Sequence, residues 1–182
     1  LLDVPMEPRG EHARMGTHNH VVGLDRGAYF EVISADPNAP KPPHARWFGL
    51  DEFGGAPKLT NWGVRCDDLD EAWERAPANV GRIMSFERGN YAWRMIVPED
   101  GMPLFDGCFP TFIQWDSDHP TQHLPHRDLR LRRLKLTHPM ATDLRDAISP
   151  FVQAMEYVSI GEGATASLQA EIGSASGEIW IA

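Results

Sequence analysis

The chain passes twice through one order of elements, a strand, a helix and then three strands, and this recurrence limits its fold more than any single motif does. LTNWGVRC (Leu59 to Cys66) has the composition of a strand. DDLDEAWERA (Asp67 to Ala76) reads as a helix with Leu69, Ala72, Trp73 and Ala76 on one face, aspartates at its positive end and Pro77 just beyond it. GRIMSFERG, YAWRMIVP and FPTFIQWD follow as strands, separated by turns around Gly89 and PEDGMP. The order then recurs: LRLRRLKL (Leu129 to Leu136) as a strand, TDLRDAI (Thr142 to Ile148) as a helix stopped by Pro150, and MEYVSI, ATASLQAEI and GEIWIA as short strands. The inside-outside phase of LRLRRLKL switches at Arg132 and Arg133, which predicts a β-bulge there. Upstream, THNHVVGL (Thr17 to Leu24), the turn DRG and GAYFEVIS (Gly27 to Ser34) form a hairpin, the back half of the same unit. LLDVP reads as the close of a helix running into a turn at Pro5, so the first unit is expected to lack its opening strand and most of its helix. DPNAPKPPHAR (Asp36 to Arg46) is a connection by composition. The expected division is residues 1–58, 59–127 and 128–182, with the units stacked to bury their sheets.

Composition removes several functional classes. The 182 residues are 42% hydrophobic and 24% charged, with six Trp and eight Phe, as in an ordinary folded protein. A formal net charge of -9 opposes non-specific binding to nucleic acid or to anionic membranes. RDLRLRRLK (Arg127 to Lys135) is a local basic exception, but its alternation is that of a solvated strand face and no aromatic residue interleaves it. No apolar run is long enough to span a bilayer, and no charged-then-apolar leader precedes the first structured segment. Cys66 and Cys108 lie in apolar strand contexts without paired spacing, which predicts free thiols and a cytoplasmic protein. GEGATA at Gly161 lacks the spacing and lysine of a phosphate loop, and no serine-hydrolase elbow is present.

The chemistry concentrates in a few places. In GAYFEVIS, strand alternation puts Tyr29, Glu31 and Ile33 on one face and Phe30 and Val32 on the other, so a carboxylate sits at the centre of a strand that should be buried. Such a group needs a ligand, a hydrogen-bonding pocket or a cation, for which Arg94 and Arg65 are the candidates. His18 and His20 alternate with Asn19 and Val21 and share a face, either of a pocket or of a polar crevice at its rim; satisfied structural histidines are the alternative. Arg94, between apolar neighbours in YAWRMIVP, suits the bidentate holding of a substrate carboxylate or a pairing with Glu31. HPTQHLPH carries His119, His123 and His126 at metal-ligand spacing, yet Pro120 and Pro125 oppose the helix that would align them, leaving a loop. Trp62, Trp93 and Trp115 read as core or as the aromatic wall of a small-molecule pocket.

GTHN (Gly16 to Asn19), GAYFEVIS with the following ADP, CDDLDEA opening a helix, and FPTFIQW with a nearby His119 and Pro120 together resemble the glyoxalase-like branch of the vicinal oxygen chelate superfamily, over about residues 10 to 140. The resemblance implies an α+β fold of repeated βαβββ modules forming curved mixed sheets around a cup, the first module N-terminally incomplete. It implies a divalent metal in the cup (Zn, Mn, Fe or Ni) with Glu31 as carboxylate ligand. Asn61 stands where the second module often has a histidine, Gln114 where a second carboxylate is expected, and the first-strand histidine falls before Leu1. Asn and Gln oxygens are poor ligands for zinc and transition metals but can hydrogen-bond a substrate. The implied function is a small-molecule enzyme, a lyase, isomerase or dioxygenase acting on vicinal oxygens, with His18, His20, Asn61, Arg94 and Gln114 lining the pocket; the resemblance names no catalytic base. The alternative is a metal-free protein that binds or sequesters a small molecule on the same scaffold. A homodimer is the expected assembly.

Overall fold

The computed structural model describes residue 2, residues 4–152 and residues 156–182. Leu1 and Asp3, in the LLDVP segment read as a helix end, and Met155, the first residue of MEYVSI, lie outside the described residues. The described residues form a mixed α+β structure of three sheets and two α-helices.

The first sheet is antiparallel and consists of β1 (Gly10–His12), β2 (Thr17–Gly23) and β3 (Tyr29–Ala35), in that spatial order. The DRG turn joins β2 to β3: the Ala28 N–H donates to the Asp25 carbonyl at 3.1 Å, and Arg26 and Gly27 both take left-handed φ, 55° and 72°. That handedness matches the strand twist. The second sheet holds β4 (Gly63–Arg65), β5 (Arg82–Arg88), β6 (Tyr91–Val97) and β7 (Thr111–Trp115) in the order β4-β7-β6-β5, with helix α1 (Leu69–Arg75) between β4 and β5. β4 runs parallel to β7 and the other pairs are antiparallel. The run β3-β2-β1 therefore repeats β7-β6-β5, and the place that β4 takes beside β7 has no strand beside β3 among the described residues.

The third unit repeats the order of elements: β8 (Arg130–His138), α2 (Ala141–Ile148), β9 (Val158–Glu162), β10 (Ser167–Ser174) and β11 (Gly177–Ile181). Its strand order differs, β11-β10-β8-β9, because the crossover through α2 returns β9 parallel and directly adjacent to β8. The bulge expected at Arg132 and Arg133 is present: Glu171 pairs with Arg133 and Ile172 with Leu131, leaving Arg132 without a cross-strand partner. That extra residue lets both Leu131 and Leu134 face the core while Arg130, Arg133 and Lys135 stay exposed. The basic stretch is thus a solvated face.

Among the described residues two apolar clusters hold the sheets together. One contains Leu69 and Ala72 of α1, Leu144 and Ile148 of α2, Phe112 of β7, and Leu136, Leu168 and Ile172 of the third sheet. Its centre is aromatic, the Phe151 ring lying 4.5 Å from that of Phe112. Asp68 caps α1, its carboxylate accepting the Glu71 N–H at 2.9 Å. Trp73, expected on the buried face, is 46% exposed at the edge of the stripe and donates its indole N–H to the Gly81 carbonyl at 2.8 Å. The second cluster lies between the first and second sheets and includes Met15, Trp47, Met84, Phe86, Trp93 and Met95, with Ile33 of β3 packed against it.

Phe112→Ala is expected to remove about 3–5 kcal/mol of stability, the usual cost of emptying a core aromatic site, whereas Trp73→Phe, which gives up one partly solvated hydrogen bond, should cost about 1 kcal/mol. Urea unfolding of the two variants measures both, and equal losses would contradict the packing described.

Candidate functional site

Ile33 packs into the second cluster, so by strand alternation Glu31 and Tyr29 face the same side, toward β5, β6 and β7. Directly across the hairpin the same face of β2 carries Asn19 and Val21, paired with Ile33 and Glu31 respectively. Asn19 Nδ2 donates to Glu31 Oε1 at 2.6 Å. Its Oδ1 accepts from Arg88 Nη1 at 2.8 Å, which fixes the orientation of the amide. Arg88 comes from the end of β5 in the second sheet, so this relay crosses from one sheet to the other. The same Nη1 lies 3.2 Å from His12 Nε2. A guanidinium only donates, so Nε2 is the acceptor and the ring proton sits on Nδ1, 3.1 Å from Thr17 Oγ1. Gly10 permits the crossing: a Cβ there would overlap both Arg88 Nη1 and Asn19 Oδ1.

Burial dominates the electrostatics. It raises the Glu31 carboxyl above the usual carboxylate range, against the opposing effects of the Asn19 hydrogen bond and the Arg88 charge. Burial and then the neighbouring Glu31 push the Tyr29 phenol up. His12 is pushed down to about 3 by burial, with Arg88 adding to the effect, and is neutral at physiological pH. The site therefore carries one fixed positive group, Arg88, beside a carboxyl that holds its proton unusually well.

The facing wall is aromatic. Phe86 and Trp93 stack at 5.6 Å, Trp93 lies 5.3 Å from Trp115, and Trp115 meets Tyr91 edge-on at 6.0 Å. His119, largely buried, sits between the sheets with its ring 5.5 Å from Trp115 and 5.9 Å from Tyr29. Trp47 enters from the connection after β3, its ring 5.1 Å from His12.

The residues expected to line the pocket are divided by the structure. Glu31 faces the aromatic wall. His18 and His20 lie on the opposite face of β2: His18 Nε2 is 3.1 Å from Ser34 Oγ, and His20 Nδ1 donates to the Glu7 carbonyl at 2.9 Å. Arg94 and Gln114 are cross-strand partners on the helix side of the second sheet. Gln114 Oε1 accepts from Arg94 Nη2 and from the Leu69 N–H, both at 2.9 Å, and Arg94 Nη1 donates to Asp70 Oδ2 at 3.0 Å, so the pair ties the start of α1 to the sheet. Asn61 precedes β4 and donates to Thr60 Oγ1 at 3.1 Å. Neither Arg94 nor Arg65 is the partner of Glu31; that place belongs to Asn19, backed by Arg88. The imidazoles of HPTQHLPH do not converge: His119 turns inward, while His123 and His126 lie outside near Asp118 and Asp128. His12, Asn19, Arg88 and Trp47 are members that sequence reasoning did not select; the parity of Asn19 with Glu31 across the hairpin was the one available signal.

The described residues do not fit a divalent metal. Glu31 is a single anionic donor engaged by an amide with a guanidinium behind it, and β7 offers Ile113 and Trp115 on this face in place of a second carboxylate. Among the described residues no three His, Cys, Asp or Glu side chains come together as a ligand set.

A sheet bearing a carboxyl, facing an aromatic sheet of the same strand order, defines the scaffold class of paired βαβββ modules. Residues 1–152 match the family model described as a glyoxalase-like domain, and the chain belongs to that family, within the vicinal oxygen chelate superfamily. No curated protein and no solved structure matches it significantly. Among the described residues no helix is long and apolar enough to cross a membrane.

Because its folded carboxyl is raised above the ordinary value of 4.5, Glu31 contributes stability that is present below that value and lost as pH rises through the raised one. Glu31→Gln removes this dependence, so wild type should lose stability relative to the variant as pH is taken from 4.5 toward 8 in urea titrations. A pH-independent difference would place the carboxyl in water. His12 has the reverse sign, its contribution being lost as pH falls below 6.5, and His12→Gln should flatten that acid limb.

Proposed function

We propose that the protein is a small-molecule enzyme in which the space between the first and second sheets is the substrate cup and Glu31 transfers protons. The observation that supports this most directly is the part-buried Glu31 carboxyl, raised by desolvation and held by Asn19 opposite an aromatic wall. When ionised, a carboxyl whose proton affinity is raised is a stronger base than a solvated one, and a positioned acid–base group of this kind is worth about 10²–10⁴ in rate. Arg88, fixed against Asn19 and His12, stands where it stabilises negative charge that develops as the proton leaves. The reaction class is proton abstraction next to a carbonyl followed by reprotonation or elimination, an isomerase or lyase chemistry. Free Cys66 and Cys108, the former pushed up to about 11 by burial and the neighbouring aspartates, are in keeping with a reduced cytoplasmic protein.

The second reading is a metal-free binding protein, favoured by the tight aromatic packing that Trp47 and Trp93 make on this face. One experiment separates the two. Wild-type protein incubated in D₂O with a panel of 2-hydroxycarbonyl and 1,3-dicarbonyl compounds should wash out the carbon-bound proton of one class, followed by proton NMR, and Glu31→Gln should slow that exchange at least about a hundredfold. Binding without exchange supports the sequestering protein instead. Elemental analysis of the same samples tests the metal: one equivalent in wild type that disappears in Glu31→Gln would replace proton transfer by Glu31 with metal ligation.

A further inference from the structure

We propose that Ser34, His18 and Asp36 form a nucleophilic triad on the face of the first sheet opposite Glu31, which gives the protein an esterase activity toward small neutral aryl esters. This site shares no residue with the Glu31 face and does not depend on it.

The three side chains come from one hairpin and its exit. Ser34 of β3 and His18 of β2 are direct cross-strand partners, so their side chains rise from the same face within reach of each other. Ser34 Oγ lies 3.1 Å from His18 Nε2. On the other side of the ring, Nδ1 is buried without a hydrogen-bond partner among the described residues and lies 4.0 Å from Asp36 Oδ1. Asp36 is 8% exposed; Arg9 donates to its Oδ2, and the Asn38 N–H donates to its Oδ1 at 2.9 Å. The Asn38 hydrogen bond, and then Arg9, hold that carboxyl below the usual carboxylate range, so it is ionised at neutral pH. A neutral imidazole carries one proton, and a carboxylate beside Nδ1 favours it there, which leaves the Nε2 lone pair facing the Ser34 hydroxyl. In this tautomer the imidazole acts as a base toward serine, an arrangement defined by geometry and not by order along the chain. The His18–Asp36 gap is about 1 Å longer than a hydrogen bond, and catalytic contacts of this kind tighten when substrate binds.

The reaction closes with water as its co-reactant. Ser34 Oγ attacks the ester carbonyl carbon while His18 Nε2 takes the hydroxyl proton; the tetrahedral oxyanion collapses, the bond to the leaving oxygen breaks, and the imidazolium returns the proton to the departing phenol. Water then attacks the acyl carbon, giving a proton to Nε2, which passes it to Ser34 Oγ as the acyl–serine bond breaks and the acid leaves. Asp36 is a positioning residue that orients the ring. A donor for the oxyanion comes from the backbone. The Asp36 N–H donates to the Gly16 carbonyl and the Leu24 N–H to that of Ala28, so ladder alternation turns the Ala35 N–H toward the edge of β3 that has no neighbouring strand among the described residues.

The surroundings select the ester. Ser34 is exposed, and Val32, two residues earlier on the same face, is 46% exposed, which offers an aryl leaving group an apolar side chain without enclosing a large acyl group. Glu11, opposite His18 on β1, joins Asp36 in making the rim acidic, with Arg9 between them, and this disfavours an anionic ester.

4-Nitrophenyl acetate, added to the full chain in its native state and again in denaturing urea, tests the triad. Native protein should release nitrophenolate and, quenched in acid during turnover, carry an acetyl group on Ser34 in peptide mass spectra; in urea that label should disappear. Ser34→Ala should abolish the label, and His18→Gln should slow nitrophenolate release at least about a hundredfold, the usual worth of a positioned base. Asp36→Asn should lower kcat at least about tenfold through the wrong tautomer, with KM unchanged. No release above that in buffer, acetyl on lysines or on His18 in place of Ser34, a Ser34 label that persists in urea, or release by His18→Gln as fast as by wild type would each overturn the proposal, and the first three need no variant to fold.

Discussion

The relay from Arg88 through Asn19 to Glu31 is the contact on which the rest of the site depends. It joins the end of β5 in one sheet to the centre of β3 in another, Arg88 Nη1 donating to Asn19 Oδ1 and Asn19 Nδ2 to Glu31 Oε1. A carboxyl surrounded by apolar side chains is costly to keep. The amide hydrogen bond and the guanidinium offset part of that cost without removing it, which leaves the Glu31 carboxyl raised. Gly10 is the concession that the backbone makes, because any side chain there would occupy the space in which Arg88 meets Asn19.

Around this polar line the two sheets take different parts. The first supplies the titratable groups, Glu31, Tyr29 and His12, and the second supplies rings. The asymmetry follows from register. Trp93 and Met95 of β6 and Ile113 and Trp115 of β7 face the first sheet, so Arg94 and Gln114 between them must face α1, where they hold the helix start. Had β7 been shifted by one residue, Gln114 would lie opposite Glu31 and the site would be a polar pair. The third sheet has no part in the site and instead buries both helices against the far side of the second. Its different strand order shows that a recurring order of elements does not fix how the strands pair.

Much of the architecture was legible in the sequence. The hairpin at DRG, the strands of the second unit, α1 with its aspartate cap, α2 before Pro150 and the bulge at Arg132 all follow from local pattern, because period, turn residues and caps act within a few positions. So did the side of β3 to which Glu31 belongs. β1 was missed, since three residues give no period to read, and Trp73 was misjudged, since a residue at the margin of an apolar stripe is buried only if a neighbour reaches it.

What the sequence by itself determined is therefore the set of elements and the presence of a carboxyl on an inward strand face. Tertiary structure alone decided its company. Asn19 and Arg88 lie 12 and 57 residues from Glu31 (31 less 19, and 88 less 31), and nothing local distinguishes Arg88 from the other arginines at strand ends. Whether a strand residue faces the cup or a helix is likewise set by the sheet against which it packs, a long-range choice that alternation leaves open between two faces. For that reason Arg94 and Gln114 stand with α1, and Trp47, from an irregular connection, stands beside His12.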